Sequence, residues 1–377
     1  YFENAAFSVK YTYFTNGVET YSSTFDVNIA PQSSQEYEID SFELEKDNHN
    51  SVVFEYLAGD FLIASEQIIL SEGKLSADIN SDGKTTVKPS ENKLYITFDN
   101  GSMIFDKSTG FITSYIYKNH EMINSFPLGD FKGFAPAFYR APLDNDRNIC
   151  KYWHTMGLQN TSNICKGSNF TDNGDNIVVT TNIKSIANCI LPIANTQIKY
   201  TIYPNGNILV DVNCLGGGAV KLLPRFGVML EMPKEYENIK FFGLGEDVNL
   251  PDYKEHTINK VYQTTVDKLK EDYIKPQESA TRCDVRFAEI TNASGFGLRF
   301  EAVNKPFIFS ASHYTSNQWA KAMHRDDLVD LPTTCVNIDS SVLGAGSNAC
   351  GPLPDKKDRV GSLSGKKLSF VVKPIGE

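Results

Sequence analysis

The chain has 377 residues, 41% hydrophobic and 22% charged, with a formal net charge of −10. That length predicts roughly two to three domains with sizeable cores, and no stretch approaches the roughly 18 consecutive apolar residues of a membrane span. The acidic balance argues against nucleic acid as a partner, because phosphate backbones require a basic stripe, and the short KKDR (356–359) and GKK (365–367) runs read as solvated turn or tail.

Taken in order, the elements are almost all strands. The opening YFENAAFSVKYTY is strand-like and polar-interrupted, unlike a leader peptide. Because the chain does not begin with Met, it is expected to be a piece of a longer polypeptide. Period-two alternation follows in SVVFEYLA (51–58) and EQIIL (66–70). Residues 1–78 therefore predict a small β-sandwich. The polar INSDGKTTVKPSE, residues 79–91, carries Gly and Pro without apolar periodicity and reads as a linker.

Residues 92–377 continue the β pattern. KLYITFDNGSMIF (93–105) is a hairpin around Asn100-Gly101, a pair suited to the positive φ of a tight turn. NIVVTTNI (176–183), TIYPNGNILVDV (201–212) and KLSFVVK (367–373) repeat the alternation. The best helical spacing, residues 266–274, is barely two turns. The whole predicts an all-β chain ending in a large antiparallel supersandwich. The seven cysteines are scattered and odd in number. With no CxxC they predict reduced thiols in a cytoplasmic protein, and no metal site.

Nucleophile elbows, zinc motifs and phosphate loops are absent. The polar residues gather instead in five loop-like segments. RAPLDND (140–146) crowds Arg140, Asp144, Asn145 and Asp146 behind the apolar FAPAFY (134–139), as a self-satisfied corner or the rim of a site. FFGLGEDVNLPDYKEH (241–256) offers Glu246, Asp247, Asn249, Asp252, Glu255 and His256, groups suited to sugar hydroxyls or to an exposed loop. In YIKPQESATRCDVRFAEI (273–290), Arg282, Asp284 and Arg286 would share one strand face near Glu278 and could form a charge ladder. SASHYTSNQWAKAMHRDDL (310–328) holds His313, read as a packed, hydrogen-bonded residue sooner than a catalyst, and Trp319, which with Trp153 is expected in core packing ahead of a sugar platform. GAGSNACGP (344–352) is a small-residue loop whose backbone can approach a ligand closely.

These five segments, collinear and in this order, resemble the carboxy-terminal region of the large bacterial β-galactosidases of glycoside hydrolase family 2. TNGVETYSSTFDVNIAPQSSQEYEI and DNGSMIFDKSTGFITSYIYKNHEMI extend the resemblance over essentially the whole chain. It implies an immunoglobulin-like sandwich followed by a supersandwich similar to galactose mutarotase. It further implies that the glutamate pair of a retaining glycosidase lies on a barrel preceding both domains. No catalytic residue is then expected in this chain, nor a cofactor, although Mg or Na could serve the missing barrel.

On this resemblance the chain would complete the rim of the barrel's β-galactoside pocket and the domain or subunit contacts of a parent that is a homo-oligomer. Asn348, Cys350, Arg140, Asp144, Asn145 and Asp146 are the rim candidates. Cys350 falls where some members carry a tryptophan against the sugar. The family pattern Gly-Pro-x-Glu-Asn-Tyr-Pro-Asp-Arg is departed from at Val248, Leu250 and Tyr253, which suggests a lost ion pair. Two other classes remain open. A mutarotase-like aldose epimerase would draw its general acid and base from His256, Glu278 and His313. A carbohydrate-binding or structural module would bind sugar without chemistry, or not at all.

Overall fold

Apolar–polar alternation broken by Asn-Gly turns dictates strands through most of the chain, and the computed structural model is all-β with antiparallel sheets. It describes residues 5–77, 79, 81–123, 133–347 and 350–376. The amino-terminal unit is a four-stranded sheet in the order Val18–Ile29, Ala5–Thr15, His49–Ala58, Phe61–Glu72. Its first hairpin turns at Asn16 and Gly17, both at positive φ, as a tight hairpin turn requires. One face carries Tyr11, Tyr13 and Val52. Segment 30–48, which has no strand, covers that face and stacks Phe42 on Tyr13 at 4.6 Å between ring centres.

Part of the stretch read as linker is strand. Thr86–Pro89 pairs with Lys93–Phe98 and opens a five-stranded meander running to His120–Glu121. The strand is only four residues long and ends on Pro89, so it shows too little alternation to be read locally. The expected hairpin forms beside it, with Phe98 opposite Gly101 and Asn100 at φ 61°.

Two facing sheets make the large unit. The nine-stranded sheet runs Thr161–Asp172, Ile177–Ala187, Leu191–Ile202, Ile208–Gly217, Lys367–Ile375, Gly297–Ala302, Phe287–Thr291, Asn238–Gly245, Ile258–Thr265. The five-stranded sheet runs Ala135–Ala137, Arg225–Pro233, Thr333–Val342, Phe307–Ser312, Arg282–Val285. Val228, Leu230, Ile338 and Phe309 of the smaller sheet share one continuous core with Tyr200, Val210, Phe300 and Phe370 of the larger. The meander adds Phe98, Phe105 and Tyr115 to that core.

Helices are few and short among the described residues. The stretch expected over 266–274 is helical only at Val266–Leu269, while Cys150–Met156 and Ser316–Lys321 carry the two tryptophans. Trp153 and Trp319 are both buried, and the Trp153 indole donates to Leu222 O at 2.8 Å. Neither forms an exposed sugar platform. Among the described residues, no helix is long and apolar enough to cross a membrane.

The amino-terminal sheet is fastened to the large unit. The Gln67 amide donates to Asn259 O at 2.9 Å and accepts from Asn259 N at 2.7 Å, imitating a strand neighbour. Val261 N donates to Gly17 O at 2.9 Å, and the Arg286 guanidinium meets the Glu72 carboxylate at 2.9 Å.

Candidate functional site

The RAPLDND corner holds itself together and holds a neighbour. The chain enters it from the buried Phe134–Phe138 run and must turn beneath solvent, so its polar atoms need internal partners. Arg140 Nη1 donates to Asp146 Oδ2 at 2.6 Å, and both side chains are fully buried. The same carboxylate oxygen accepts from Leu143 N at 2.8 Å, which closes the turn. Arg140 Nη2 reaches across to Leu343 O at 3.2 Å, and its guanidinium lies 5.5 Å from the Trp153 ring. Asn145 donates to Gly346 O at 2.7 Å, and Asp144 N donates to the Gln277 side chain at 2.8 Å.

The acidic loop after Asn238–Gly245 leaves Glu246, Asp247, Asp252, Glu255 and His256 exposed, and Asn249 anchors it inward. Asn249 is fully buried; its nitrogen donates to Leu244 O and Asp247 O, and its oxygen accepts from Cys283 N at 2.6 Å. Asp252 spends its carboxylate on the next loop, Oδ1 accepting from Ala345 N at 2.7 Å and Oδ2 from Gly346 N at 2.8 Å. A Cβ on Gly344 would sit 2.4 Å from Asp252 Oδ1, so glycine is the residue that lets this clamp close. Ser347 N then bonds Pro352 O at 3.1 Å and Cys350 N bonds Ser347 O at 3.0 Å, folding the small-residue loop on itself.

Four of the five polar segments, far apart in sequence, surround one depression of about 310 Å³. Asp144 and Asn145 line it with Tyr253, Tyr273, Glu278 and Ala345. Glu278 is buried beneath it, accepting from Thr281 Oγ1 at 3.2 Å and lying 3.9 Å from Arg225. Arg225 also meets Asp339 at 3.0 Å. Burial pushes Asp339 up to about 7 despite that guanidinium, because a single cation there faces two carboxylates. Among the described residues, no three His, Cys, Asp or Glu side chains converge as metal ligands.

Residues 97–372 match the family model of the β-galactosidase small chain. The chain belongs to the β-galactosidase small-chain family. It matches the carboxy-terminal part of β-galactosidases and is 28% identical over 359 residues to the β-galactosidase of Actinobacillus pleuropneumoniae, covering 92% of this chain and 34% of that protein. It is 24% identical to the enzyme of Halalkalibacterium halodurans, covering 92% and 35%, and 25% identical to that of Staphylococcus xylosus, covering 78% and 29%. The chain thus spans about a third of the length of the curated relatives it matches. Among solved structures, it is similar to galactose 1-epimerase from Lactobacillus acidophilus, with 9% identity, TM-score 0.46, and coverage of 78% of this chain and 99% of that one.

Within this small-chain fold the remaining candidates fall in different places. Cys350 is exposed on the 344–352 loop, and Asn348 lies outside the described residues. The three groups named for epimerase chemistry have separate partners. His256 is exposed, with its ring nitrogen 3.2 Å from Val248 O and its ring 4.5 Å from that of Tyr253. His313 is buried, its Nδ1 3.4 Å from Thr333 O, while Glu278 belongs to the Arg225 cluster. The expected ladder of Arg282, Asp284 and Arg286 does not form. Asp284 takes φ 52°, which breaks the alternation. Arg282 instead donates to three carbonyls, those of Thr281, Glu246 and Leu269; Asp284 pairs with Lys254 at 2.6 Å, and Arg286 pairs with Glu72. Sequence reasoning missed Arg225, Asp339 and Gln277. The first two are buried within strands, where charge is not expected, and neither stands out because Glu231 and Asn337 lie on the same strands.

Proposed function

We propose that this chain is the carboxy-terminal, non-catalytic portion of a β-galactosidase-like glycoside hydrolase, and that its loop junction completes the rim of a sugar pocket on a preceding barrel. The observation that carries this reading is the convergence of four distant segments on one depression, with walls tied by the Arg140–Asp146 pair and the Asp252 clamp. Such ties hold a surface in one shape before a partner arrives, which lowers the ordering cost of binding. Asp144, Asn145 and the 344–352 loop would then present hydrogen-bonding groups to hydroxyls at the pocket edge. The glutamate pair, and any Mg or Na, would belong to the barrel.

The amino-terminal sheet supports a contact role. Its edge strand Phe61–Glu72 leaves Phe61 71%, Ile63 54% and Ile68 48% exposed. An apolar, unpaired edge of this length marks a surface that another polypeptide covers, and in this reading that is the preceding part of the same enzyme.

The experiment is hydrolysis of a chromogenic β-galactoside by this chain alone, then mixed with a matching amino-terminal barrel fragment. No hydrolysis alone and hydrolysis on mixing is the expected pair of results. Hydrolysis by the chain alone would locate a carboxylate pair in these loops and overturn the non-catalytic role.

A further inference from the structure

A second depression shares no lining residue with the loop junction. It opens where the edge strand of the larger sheet, Thr161–Asp172, passes the edge strand of the smaller one, Ala135–Ala137, and its volume is about 550 Å³. Small-molecule sites typically occupy about 300–1,000 Å³. In a chain that is 22% charged, not one Asp, Glu, Lys, Arg or His among the described residues lines this cleft. Its polar groups are instead the side-chain amides of Gln159, Asn160, Asn163, Asn188, Asn317 and Asn337, together with serine, threonine and tyrosine hydroxyls.

Some of these amides are committed to the protein. Asn163 ties the two edges together, donating to Pro136 O at 3.0 Å, and Asn317 donates to Gln159 O at 2.9 Å. Two amide oxygens are not committed. Asn337 Oδ1 and Gln159 Oε1 are buried and accept no hydrogen bond from the protein, although Asn337 is only 8% exposed. A buried acceptor without a donor costs free energy that an arriving hydroxyl would recover. A hydroxyl also suits an amide in either orientation, donating to its oxygen or accepting from its nitrogen. Pro136, Leu158, Met229 and the half-buried Tyr139 supply apolar wall beside these amides, the complement of a sugar's C–H face.

We propose that this cleft binds a neutral sugar of one or two rings through its amide lining. The proposal stands independently of the rim reading. With no cation among the described lining residues, the cleft discriminates against anionic sugars.

Isothermal titration of the 377-residue chain with galactose and lactose tests it, with galacturonate as the charged control. Saturable heat is expected for at least one neutral sugar and none for galacturonate. Asn337→Leu should weaken binding roughly tenfold, the order expected when a neutral hydrogen bond is lost. Asn160→Trp, at an exposed position of the cleft wall, should abolish binding with the melting temperature kept, and it decides the matter if Asn337→Leu does not fold. Ala345→Trp at the loop junction should leave the heat unchanged. No saturable heat with either neutral sugar, or heat lost in Ala345→Trp but kept in Asn160→Trp, would overturn the proposal.

Discussion

The guanidinium of Arg140 and the carboxylate of Asp146 meet at 2.6 Å with neither side chain exposed to solvent. Removing either leaves a charge buried without its counter-ion, so Arg140→Ala and Asp146→Ala should each destabilise the chain by about 3–5 kcal/mol. The double variant should cost less than the sum of the two, since it leaves no orphaned charge. Urea unfolding of all three checks this, and strict additivity would show that the two groups are not coupled.

Asp252 accepts from the amides of both Ala345 and Gly346. Asp252→Ala should release the 344–347 loop at a local cost of about 1–3 kcal/mol, seen as faster hydrogen exchange at those two amides while the core strands stay protected. In a reconstituted enzyme the rim reading expects a raised KM with kcat less affected. A fall in kcat alone would count against it.

Burial raises Glu231 from an ordinary 4.5 to about 7, with only a long contact from the Cys335 thiol to offset it. A carboxyl whose folded pKa is raised binds its proton more tightly in the fold. Its contribution is therefore fully present below about pH 4.5 and is lost as the pH rises through about 7. Glu231→Gln keeps the neutral form at every pH. It should match the parent near pH 4.5 and exceed it by about 1–3 kcal/mol at pH 8. Melting temperatures at the two pH values decide it, and a gap that does not widen with pH would refute the assignment.

Gly17 sits at φ 75°, and a Cβ there would lie 2.7 Å from the Phe242 ring and 2.9 Å from Val261 N. Gly17→Ala should therefore loosen the seating of the first hairpin on strand Ile258–Thr265, costing about 1–3 kcal/mol. Limited proteolysis would show this as earlier cleavage between residues 73 and 85, with the large unit left intact.

Ile63 and Ile68 stand 54% and 48% exposed on the unpaired edge strand. Ile63→Lys with Ile68→Lys should reduce self-association of the chain, as a charged edge resists strand addition. Light scattering should fall while the melting temperature stays within about 1 °C, because little packing is lost. Undiminished scattering would mean that another surface drives association.

Much of the fold was legible where local chemistry decides it. The Asn100-Gly101 hairpin and the alternating runs around Pro204–Asn207 formed as their patterns require. Arg225–Pro233 gave no such signal, because eight of its nine residues are buried and alternation vanishes when both faces are covered. The helix Cys150–Met156 is too short to show a period. The crowding of RAPLDND was visible, but its reach to Leu343 and Gly346 was not, since tertiary contacts leave no local pattern. The amides of the second cleft come from segments as distant as 159–163, Asn188, Asn317 and Asn337, each unremarkable where it stands in the chain.

The strand Lys367–Ile375 lies between Ile208–Gly217 and Gly297–Ala302, with four strands of the larger sheet on either side. A ribosome delivers it after all eight of the others. Until it clears the exit tunnel, each half-sheet carries a bare inner edge, of the kind that chaperones hold and that mispairs in their absence. A premature stop before residue 367 would not trim a tail. It would unzip the sheet along its midline, because the last of these nine strands to be made is the one that joins the two halves.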